Sequence, residues 1–463
     1  MEDTLERLHQ ASVTILEETG IKIHHPRVLE ILKTHGVKLD GDIAFFNEGL
    51  LMEWVKKAPE QFTIYARNPA HDMSLGSGQT WYGSGYGCPA IIEADGTRRS
   101  ALFEDYKTFL KLVHQCDSFH LNGGAVVQPS DLDPSTCFPL MFDAVIRHSD
   151  KCLMGFPGSG SQVKDIMDLA SAVFGGKAAL KEKPRVITLV NTTSPLQLDD
   201  IALSTILTCA ENGQPVIISP GPIAGATGPI TPAGNIALGN AELLAGIAIS
   251  QMIKPGTPVV YGLQATTADM KTGGISIGSP GFSIEAAWGI RLAKMYNIPC
   301  RAGGASSDAK GVSVQSGYES MMAMFVSRQE QADISLHSAG ILDAYGAMSY
   351  EQFIVDTEII SMVEYYLKGM EVSDETLALE HIHSAGPGGQ FLSVPHTFKH
   401  CRTVPWQPEV THRGNLTTAD AQEEIMENIK IKKRALLEAY QAPALEKEVD
   451  TALKNCLSQI LSR

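Results

Sequence analysis

The chain has 463 residues, of which 44% are hydrophobic, and this is enough for one large globular core with smaller additions. Its net charge of -15 argues against nucleic acid and anionic membrane as partners. The sequence has neither a basic segment followed by an apolar run nor an uninterrupted apolar stretch of about 18 residues, so export and membrane insertion are not expected. The eight cysteines include no CxxC pair, which favours reduced thiols in a cytoplasmic protein and gives no sign of a metal site.

The first 100 residues are predicted to form a cap. Helix-period apolar patterns occur in DTLERLHQASVTILEETG (3–20) and PRVLEILKTHG (26–36). Residues 61–100 contain short β-rich runs separated by turns with glycine, which is typical of hairpin strands. We therefore expect an N-terminal cap of helices and short strands over residues 1–100.

Residues 101–403 repeat one theme: a short β-branched run, a turn rich in small residues, and a stretch with helical periodicity. Seven runs of this kind are HLNGGAVV (120–127), CLMGF (152–156), RVITLVN (185–191), PVIISP (215–220), PVVYG (258–262), PCRAGG (299–304) and ISLHSAG (334–340). The alternation of strands and helices predicts an α/β fold with a parallel sheet. A doubly wound sheet would show the same alternation, but polar loops follow every strand, which favours a TIM-type (β/α) barrel.

Several boundaries of these elements can be predicted. Ser161, Asn235 and Ser349 are candidate helix N-caps, and Gly369 is a candidate C-terminal stop. The eighth strand of a barrel is not evident, and the candidate segments are 90–99 and 387–396. Residues 404–463 are predicted to form a C-terminal helical extension, which includes the amphipathic stretch TTADAQEEIMENIKIKKRALLEAY (417–440).

The run WYGSGYGCP (81–89) has the glycine spacing of a nucleotide-binding loop. Such a loop leaves a buried strand and enters a helix, whereas a further strand and the Asp95–Gly96 turn follow here, so nucleotide binding is disfavoured. The run also contains Trp81, Tyr82 and Tyr86, and aromatic faces attract quaternary ammonium groups. The same rings could attach the cap to the barrel, and the sequence leaves both interpretations open.

His337 lies at the C-terminal end of the last predicted strand, where barrel enzymes place their chemistry. Phe353 follows on the next helix and could close over such a site, although packing against the barrel is the alternative. The other strand ends carry small or neutral polar residues, among them the segment from Gly386 to Gln390. This pattern excludes a hydrolytic carboxylate pair, and no DxHxxG, HExxH or P-loop motif occurs in the sequence.

Four stretches carry a resemblance to a known family: YGSGYGCPAIIEADGTRRSALFEDY (82–106), PGPIAGATGPITPAGNIALGNAELLAG (220–246), SYEQFIVDTEII (349–360) and HSAGPGGQFLSVPHTFKH (383–400). They resemble the trimethylamine methyltransferase family, and the similarity covers nearly the whole chain. The resemblance implies a TIM-type barrel that demethylates an amine with a cognate corrinoid protein. Because the usual corrinoid-binding DxHxxG motif is missing, the cobalamin would be carried by that separate protein.

The family's trimethylamine enzymes contain pyrrolysine near a late strand, whereas the matching region here, HSAGILDAYG (337–346), has ordinary residues. The chain therefore resembles the non-pyrrolysine branch, which acts on quaternary amines. A quaternary nitrogen leaves as a neutral tertiary amine once a nucleophile takes its methyl group, so no activating residue is needed. Glycine betaine is the first choice of substrate, with proline betaine or carnitine next.

The resemblance and the residue types together suggest a binding site, although they assign no catalytic residue and no metal ligand in this chain. We expect Trp81, Tyr82, Tyr86 and Phe353 to contact the ammonium group. His337 and Gln390 are then expected to contact a carboxylate. A homo-oligomer is a further expectation from the family. The alternatives are a trimethylamine methyltransferase, a non-catalytic quaternary-amine binding protein, and an S-adenosylmethionine-dependent methyltransferase or barrel lyase.

Overall fold

A computed structural model of the chain describes residues 1–415 and 420–463. The N-terminal region consists of short helices and strands. In chain order these are α1 (Glu2–Thr14), β1 (Ile21–Ile23), α2 (Pro26–Thr34), β2 (Lys38–Asp40), β3 (Ile43–Phe45), α3 (Glu48–Val55), β4 (Phe62–Ile64), β5 (Met73–Leu75), β6 (Trp81–Tyr82), β7 (Ala90–Ile92) and β8 (Arg98–Ser100). A π-helical turn, Ile15–Thr19, extends α1, and a 3-10 turn, Pro69–His71, precedes β5.

The central region alternates strands with longer helices. Its first half contains α4 (Phe103–Gln115), β9 (Leu121–Gly123), α5 (Cys137–His148), β10 (Cys152–Met154), α6 (Gly160–Val173), α7 (Lys177–Glu182), β11 (Val186–Asn191), β12 (Gln197–Leu198), α8 (Asp200–Glu211), β13 (Val216–Ser219) and β14 (Ile223–Ala224). The second half contains α9 (Pro232–Ile253), β15 (Val259–Tyr261), β16 (Thr266–Ala268), β17 (Ile275–Ser276), α10 (Pro280–Met295), β18 (Arg301–Gly303), α11 (Val314–Gln329), β19 (Ile334–Leu336), β20 (Ile341–Leu342), β21 (Ala347–Met348) and α12 (Tyr350–Lys368).

The C-terminal region is helical in its described part. It contains α13 (Asp374–Leu377), α14 (Leu379–Ala385), α15 (Pro395–His400), α16 (Ala421–Ala439) and α17 (Lys447–Leu461). The sequence predicts a helix from residue 417, of which residues 417–419 lie outside the described residues, and the described helix begins at Ala421.

Parallel pairing connects the strands of the central region. One sheet has the order β9-β10-β11-β13-β15, and a second has the order β18-β19-β6. A single parallel bridge joins Gly83, directly after β6, to Leu121 of β9, and another joins Tyr261 of β15 to Cys300, directly before β18. The α/β class predicted from the sequence is therefore confirmed.

All seven strands predicted between residues 101 and 403 are present in these two sheets. The two sheets contain one further strand, β6, which lies inside the predicted N-terminal cap. Neither candidate segment for this strand joins the parallel sheets: residues 90–100 form an antiparallel hairpin that pairs with β21, and residues 387–396 form a loop and the start of α15. The two-residue length of β6 is too short to produce an alternating pattern.

The helix boundaries agree with the predicted caps in part. Ser349 caps α12 by accepting a hydrogen bond from the Gln352 amide, and Gly369 ends this helix at φ +71°, as predicted. The other two helices begin earlier than predicted, because Ser159 caps α6 and Thr231 precedes α9, where Pro232 occupies the first turn. Proline is favoured at that position because its missing N–H would have no helical partner.

The core has two layers. Apolar side chains of the parallel strands, such as Leu189, Ile217, Val260 and Ile334, pack together in the interior, and the long helices cover the strands outside. The helix α9 is long and apolar enough to cross a membrane, but 94% of its apolar window is buried inside the molecule, as in the core helix of a globular protein. Its burial on all sides explains why its sequence shows no polar stripe.

Candidate functional site

A cavity of about 590 Å³ lies where the carboxyl ends of the parallel strands meet their following loops. This is the position at which parallel α/β enzymes place their sites. Most of the wall is apolar or aromatic. The lining residues that carry the argument below are Tyr86, Phe138, Phe156, Asn191, Ser219, Gln264, Arg301, His337 and Tyr345.

Arg301, on β18, is the charged residue that lines this cavity. The residue is only 2% exposed. One terminal nitrogen of the guanidinium lies 2.7 Å from Nδ1 of His337, and the other donates a hydrogen bond to Oε1 of Gln264. Its Nε is buried and has no hydrogen-bond partner, and no carboxylate pairs with it among the described residues. Burial lowers the pKa of the guanidinium, but an arginine keeps its charge at neutral pH. An unpaired buried charge is costly, so an anionic ligand that paired with this guanidinium would be stabilised in the cavity.

His337 follows β19 and takes a left-handed backbone conformation with φ +59°. Its backbone N–H donates to the carbonyl of Ser84 at 3.0 Å, which connects the end of β19 to the loop after β6. Burial and the neighbouring Arg301 hold the pKa of the imidazole well below its usual value. Since Nδ1 accepts from Arg301, the neutral ring carries its proton on Nε2.

Gln264 and Tyr345 extend this polar group along the cavity wall. Nε2 of Gln264 donates to the Tyr345 hydroxyl at 2.7 Å, and the Tyr345 ring lies 4.8 Å from the His337 ring. Tyr345 ends a run of three residues with positive φ that begins at Asp343. Such strained backbone persists where its surroundings hold it, and here the amide of Asp343 donates to the carbonyl of Ala309 at 2.9 Å.

Aromatic rings line the cavity as well as the polar group. Tyr86 is edge-on to His337 with ring centroids 6.4 Å apart, and Phe138 stacks on Phe156 at 4.9 Å. Burial raises the pKa of the Tyr86 hydroxyl, which is therefore neutral. The site combines one buried cation with several π faces, which are the two kinds of group that recognise a carboxylate and a quaternary ammonium.

Two of the residues expected from the sequence to bind substrate, Tyr86 and His337, line this cavity. Trp81 and Tyr82 do not. The Trp81 indole donates to the Ser74 carbonyl at 3.0 Å, beside the apolar cluster inside the parallel strands. The Tyr82 hydroxyl donates to the Glu364 carboxylate on the outer helix α12. Neighbouring residues of a strand point to opposite faces, so Trp81 faces the interior of the sheet and Tyr82 faces the outer helix.

Phe353 and Gln390 also lie apart from the cavity. Phe353 is a fully buried residue of α12, with its ring 5.2 Å from Phe119 and 6.1 Å from Phe109, which is the packing role named as its alternative. Gln390 is exposed in the loop between α14 and α15. Sequence reasoning misses Arg301, Gln264 and Tyr345, although an arginine inside the apolar strand run PCRAGG is a signal that could have identified the first.

Comparison with known proteins supplies the family. The model of the family described as "Trimethylamine methyltransferase (MTTB)" matches residues 1–459. The chain belongs to this family. It is therefore a methyltransferase, as predicted from the four resembling stretches.

Relatives of this trimethylamine methyltransferase family member differ in their substrates. A glycine betaine methyltransferase of Desulfitobacterium hafniense (strain Y51) is 37% identical over 459 residues, which cover 99% of this chain and 96% of the relative. A proline betaine:corrinoid methyltransferase of Eubacterium limosum is 31% identical, and the match covers 88% of this chain and 86% of the relative. A trimethylamine methyltransferase of Desulfitobacterium hafniense (strain DSM 10664 / DCB-2) is 30% identical, and the match covers 87% of this chain and 81% of the relative.

Among solved structures, the monomethylamine methyltransferase (MtmB) of Methanosarcina barkeri is similar with a TM-score of 0.53 at 14% identity, covering 94% of this chain and 88% of the other. A hydroxylamine complex of MtmB gives a TM-score of 0.54 at 15% identity, covering 96% and 88%. These similarities support the mixed α/β fold.

Proposed function

We propose that this methyltransferase moves a methyl group from a carboxylated quaternary amine to the Co(I) centre of a corrinoid carried by a separate protein. Glycine betaine is the first candidate substrate, with proline betaine and carnitine next. The observation that carries the proposal is the buried Arg301 guanidinium, which faces an otherwise neutral, aromatic cavity without a carboxylate partner. The high similarity to a glycine betaine methyltransferase supports the same substrate.

The proposal divides the substrate between two parts of the cavity. Arg301 would pair with the carboxylate, and the neutral imidazole of His337 would hold the guanidinium in place. Tyr86, Phe138 and Phe156 offer π faces to the trimethylammonium group, an interaction of about 2 kcal/mol or more when water is excluded. Trimethylamine and choline have no carboxylate and would leave Arg301 unpaired.

The remaining residues proposed from the sequence have other surroundings. Trp81, Tyr82, Phe353 and Gln390 line no part of this cavity, so the proposal does not include them. The division into a cap (1–100), a barrel (101–403) and a C-terminal extension (404–463) stays a prediction, as does the cytoplasmic location. We infer that the eight parallel strands close into a TIM-type barrel, because β6 pairs with β19 on one side and its following residue bridges to β9 on the other.

Methyl transfer from such a substrate depends on correct orientation of the N-methyl group more than on acid–base catalysis. The methyl carbon leaves nitrogen, whose bond electrons become the lone pair of a neutral tertiary amine, and it bonds to cobalt through two electrons that cobalt supplies. The chain would hold one N-methyl group towards the open side of the cavity and exclude water from the reduced acceptor. Apart from Arg301, the wall is neutral and fits this task, since His337 and Tyr86 are both uncharged.

The test uses purified chain, reduced Co(I) cobalamin and a panel of glycine betaine, proline betaine, carnitine, choline and trimethylamine. Formation of methylated cobalamin is followed by its visible spectrum, and the assay is repeated with a cognate corrinoid protein. We expect transfer from a carboxylated quaternary amine. Transfer from choline or trimethylamine at the same efficiency would contradict the carboxylate assignment.

The variant Arg301→Gln tests the residue that carries the proposal. Removing one partner of a buried charge pair costs about 2–5 kcal/mol, which corresponds to a fall of about 30-fold or more in kcat/KM for the betaine. The matched control is Arg291→Gln on the outer helix α10, which breaks the ion pair of Arg291 with Glu330, the residue directly after α11. A betaine kcat/KM that responds equally to both substitutions would sink the role of Arg301.

A further inference from the structure

The side-chain amide of Gln264 joins two polar groups of the cavity wall. Its Oε1 accepts a hydrogen bond from the Arg301 guanidinium, and its Nε2 donates to the Tyr345 hydroxyl at 2.7 Å. A guanidinium carries only donors, so the oxygen of this amide has to face Arg301 and the nitrogen has to face Tyr345. The direction of the hydrogen bond to Tyr345 is therefore fixed by the arginine.

Because the Tyr345 hydroxyl accepts from Gln264, its own proton points elsewhere. A phenol has one O–H donor, and within residues 1–415 and 420–463 this donor reaches no protein acceptor. The neighbouring hydroxyl of Ser306 is fully buried and makes no hydrogen bond. Burial raises the pKa of Tyr345, so the phenol keeps its proton at neutral pH. The cavity wall thus carries a neutral donor without a partner in addition to Arg301.

Tyr345 and Arg301 are available to the same ligand. Both line the cavity, and the guanidinium is close enough to oppose the effect of burial on the pKa of the phenol. The two side chains are also connected through His337, whose ring lies 4.8 Å from the Tyr345 ring and whose Nδ1 lies 2.7 Å from a guanidinium nitrogen. One small ligand could therefore contact a charged donor and a neutral donor together.

The backbone around Tyr345 is held in a strained conformation. Residues 343–345 have φ values of +55°, +50° and +69°, although none of them is glycine. The Asp343 carboxylate lies 3.5 Å from Nε of Arg98 and also pairs with Lys310, which ties the turn to two other segments. Backbone strain of this kind persists where the surroundings determine one conformation. A ligand would meet a hydroxyl that is already in position, so binding would cost little ordering of the side chain.

A carboxylate has the shape that this pair of donors requires. Its two oxygens are about as far apart as the oxygen and nitrogen of an amide, so one carboxylate can bridge a guanidinium and a hydroxyl as the Gln264 amide does. Hydrogen bonds to an ionised group are about twice as strong as those between neutral groups. A quaternary amine without a carboxylate would leave the Arg301 charge unpaired and would gain less from Tyr345.

We propose that Tyr345 is a specificity-determining residue whose O–H donates to one oxygen of the substrate carboxylate while Arg301 pairs with the other. Gln264 is a positioning residue that turns this O–H towards the ligand. Both roles rest on the proposed function, because the ligand is taken to be a carboxylated quaternary amine. A neutral hydroxyl at this position selects the geometry of the anion, whereas Arg301 selects its charge.

Ligand binding to the full chain tests the role of Tyr345 without methyl transfer. Isothermal titration calorimetry is carried out without cobalamin, with glycine betaine, proline betaine, carnitine and choline as separate probes. The variant Tyr345→Phe removes only the hydroxyl. The matched control is Tyr440→Phe, which removes a hydroxyl that bonds to His148 and does not line the cavity. Circular dichroism establishes that each variant is folded.

We expect Tyr345→Phe to weaken binding of the carboxylated amine by about 10- to 100-fold, the usual effect of losing a hydrogen bond to a charged group. The control should bind as the wild type does, and choline affinity should change little. Wild-type affinity of Tyr345→Phe for the carboxylated amine overturns the proposal, as does an equal loss of affinity for choline. A wild type that binds no carboxylated amine overturns the proposed function as well, so the two failures are distinguishable.

Gln264→Glu tests the orientation of the hydroxyl. The new side chain has the same size but only acceptors, so it would pair with Arg301 and accept the O–H of Tyr345. We expect betaine to bind about 30-fold more weakly or worse, and choline to bind more tightly, because the Arg301 charge is then neutralised. Adding Tyr345→Phe to this variant should have little further effect on betaine binding. Loss of affinity for both ligands, or additive effects of the two substitutions, would overturn the positioning role of Gln264.

Discussion

The pairing of Arg301 with His337 depends on an unusual backbone at the histidine. β18 and β19 are neighbours, and Arg301 pairs with Ile334, three residues before His337. His337 contacts the guanidinium because the backbone turns, at φ +59°, just beyond the end of β19. Asparagine tolerates this left-handed region better than most residues and also offers a side-chain acceptor.

Substitution of His337 should separate these two roles. We expect His337→Ala to lower kcat/KM for the betaine by about 10- to 100-fold, because the charge-assisted hydrogen bond to Arg301 is worth about 1.5–3 kcal/mol. His337→Asn, whose amide oxygen can accept from Arg301, should lose less. The same cobalamin methylation assay measures both, and an asparagine variant as impaired as alanine would contradict this interpretation.

Asp356 holds the loop after His337 from below. Its carboxyl accepts from the Gly340 amide at 2.7 Å and from Nε2 of Gln352 at 2.7 Å, while the Oε1 of Gln352 is buried without a partner. Burial raises the pKa of Asp356 to about 8. A protonated Asp356 could donate to Oε1 if the Gln352 amide rotated by half a turn.

The raised pKa predicts a particular pH dependence of stability. The folded chain binds the Asp356 proton more tightly than the unfolded chain, whose aspartate pKa is about 3.9. Its stabilising contribution is therefore full below about pH 4 and is lost as the pH rises through 8. Asp356→Asn keeps an uncharged donor, so its urea-unfolding midpoint should improve relative to wild type as the pH rises from 5 to 8. An unchanged difference between variant and wild type over this range would show that Asp356 is already ionised.

Arg301 and His337 show which parts of the site can be predicted from the sequence and which cannot. The end of a parallel strand is a sequence-readable position, and this identifies His337. Arg301 is part of the run PCRAGG, and its meaning depends on which side chains surround it after folding. Residue type and position along the chain suggest Phe353 and Tyr82 as ammonium contacts, but the packing of α12 and strand alternation fix the direction in which these side chains point.

At the scale of the elements, α9 supports a loop of the cavity through one buried carboxylate. Glu242 accepts from the Leu196 amide at 2.8 Å, from the Ser194 hydroxyl at 2.9 Å and from the Thr192 hydroxyl. These residues follow Asn191, which lines the cavity at the end of β11. Burial raises the pKa of Glu242, and the three donors oppose that effect.

Glu242→Gln leaves the helix intact but turns an amide nitrogen towards at least one of these donors. We expect the free energy of unfolding to fall by about 1–3 kcal/mol, the cost of an unsatisfied buried polar contact. The betaine KM should rise with it, since the loop after β11 loses its anchor. Thermal unfolding and the methylation assay check both effects, and Glu18→Gln, at an exposed position, is the control. A variant with wild-type stability would show that this carboxylate does not hold the loop.

Strand β6 shows why an element can escape sequence analysis. The seven longer runs are recognisable because each has several β-branched or apolar residues in a row. β6 has two residues, and both its partner Ile334 and Leu121, which bridges to the following Gly83, come from distant parts of the chain. Tertiary pairing, rather than local pattern, makes this segment a strand.

At the scale of the whole molecule, the C-terminal helices return to the body. α17 packs against α6 with Leu453 fully buried, and Arg147 of α5 pairs with Asp450 at 2.7 Å. The amphipathic periodicity of this region predicts helices, but it does not tell which surface they cover.

Leu453→Ala tests whether this packing stabilises the fold. We expect a loss of about 2–5 kcal/mol, the usual cost of truncating a fully buried leucine. Leu461→Ala, on the same helix at a position 40% exposed, should have little effect. Urea unfolding of both variants makes the comparison, and equal stability of the two would mean that α17 contributes nothing to the body.

The pairing of Trp81 with Ile334 has a consequence for biosynthesis. The two residues are about 250 positions apart, so the contact that completes the parallel series is strongly non-local. On the ribosome, β6 emerges early and waits with one edge unpaired until β19 has been synthesised. A nascent chain that stops before residue 334 would expose this edge and lack His337, and such chains are expected to depend on chaperones for protection against aggregation.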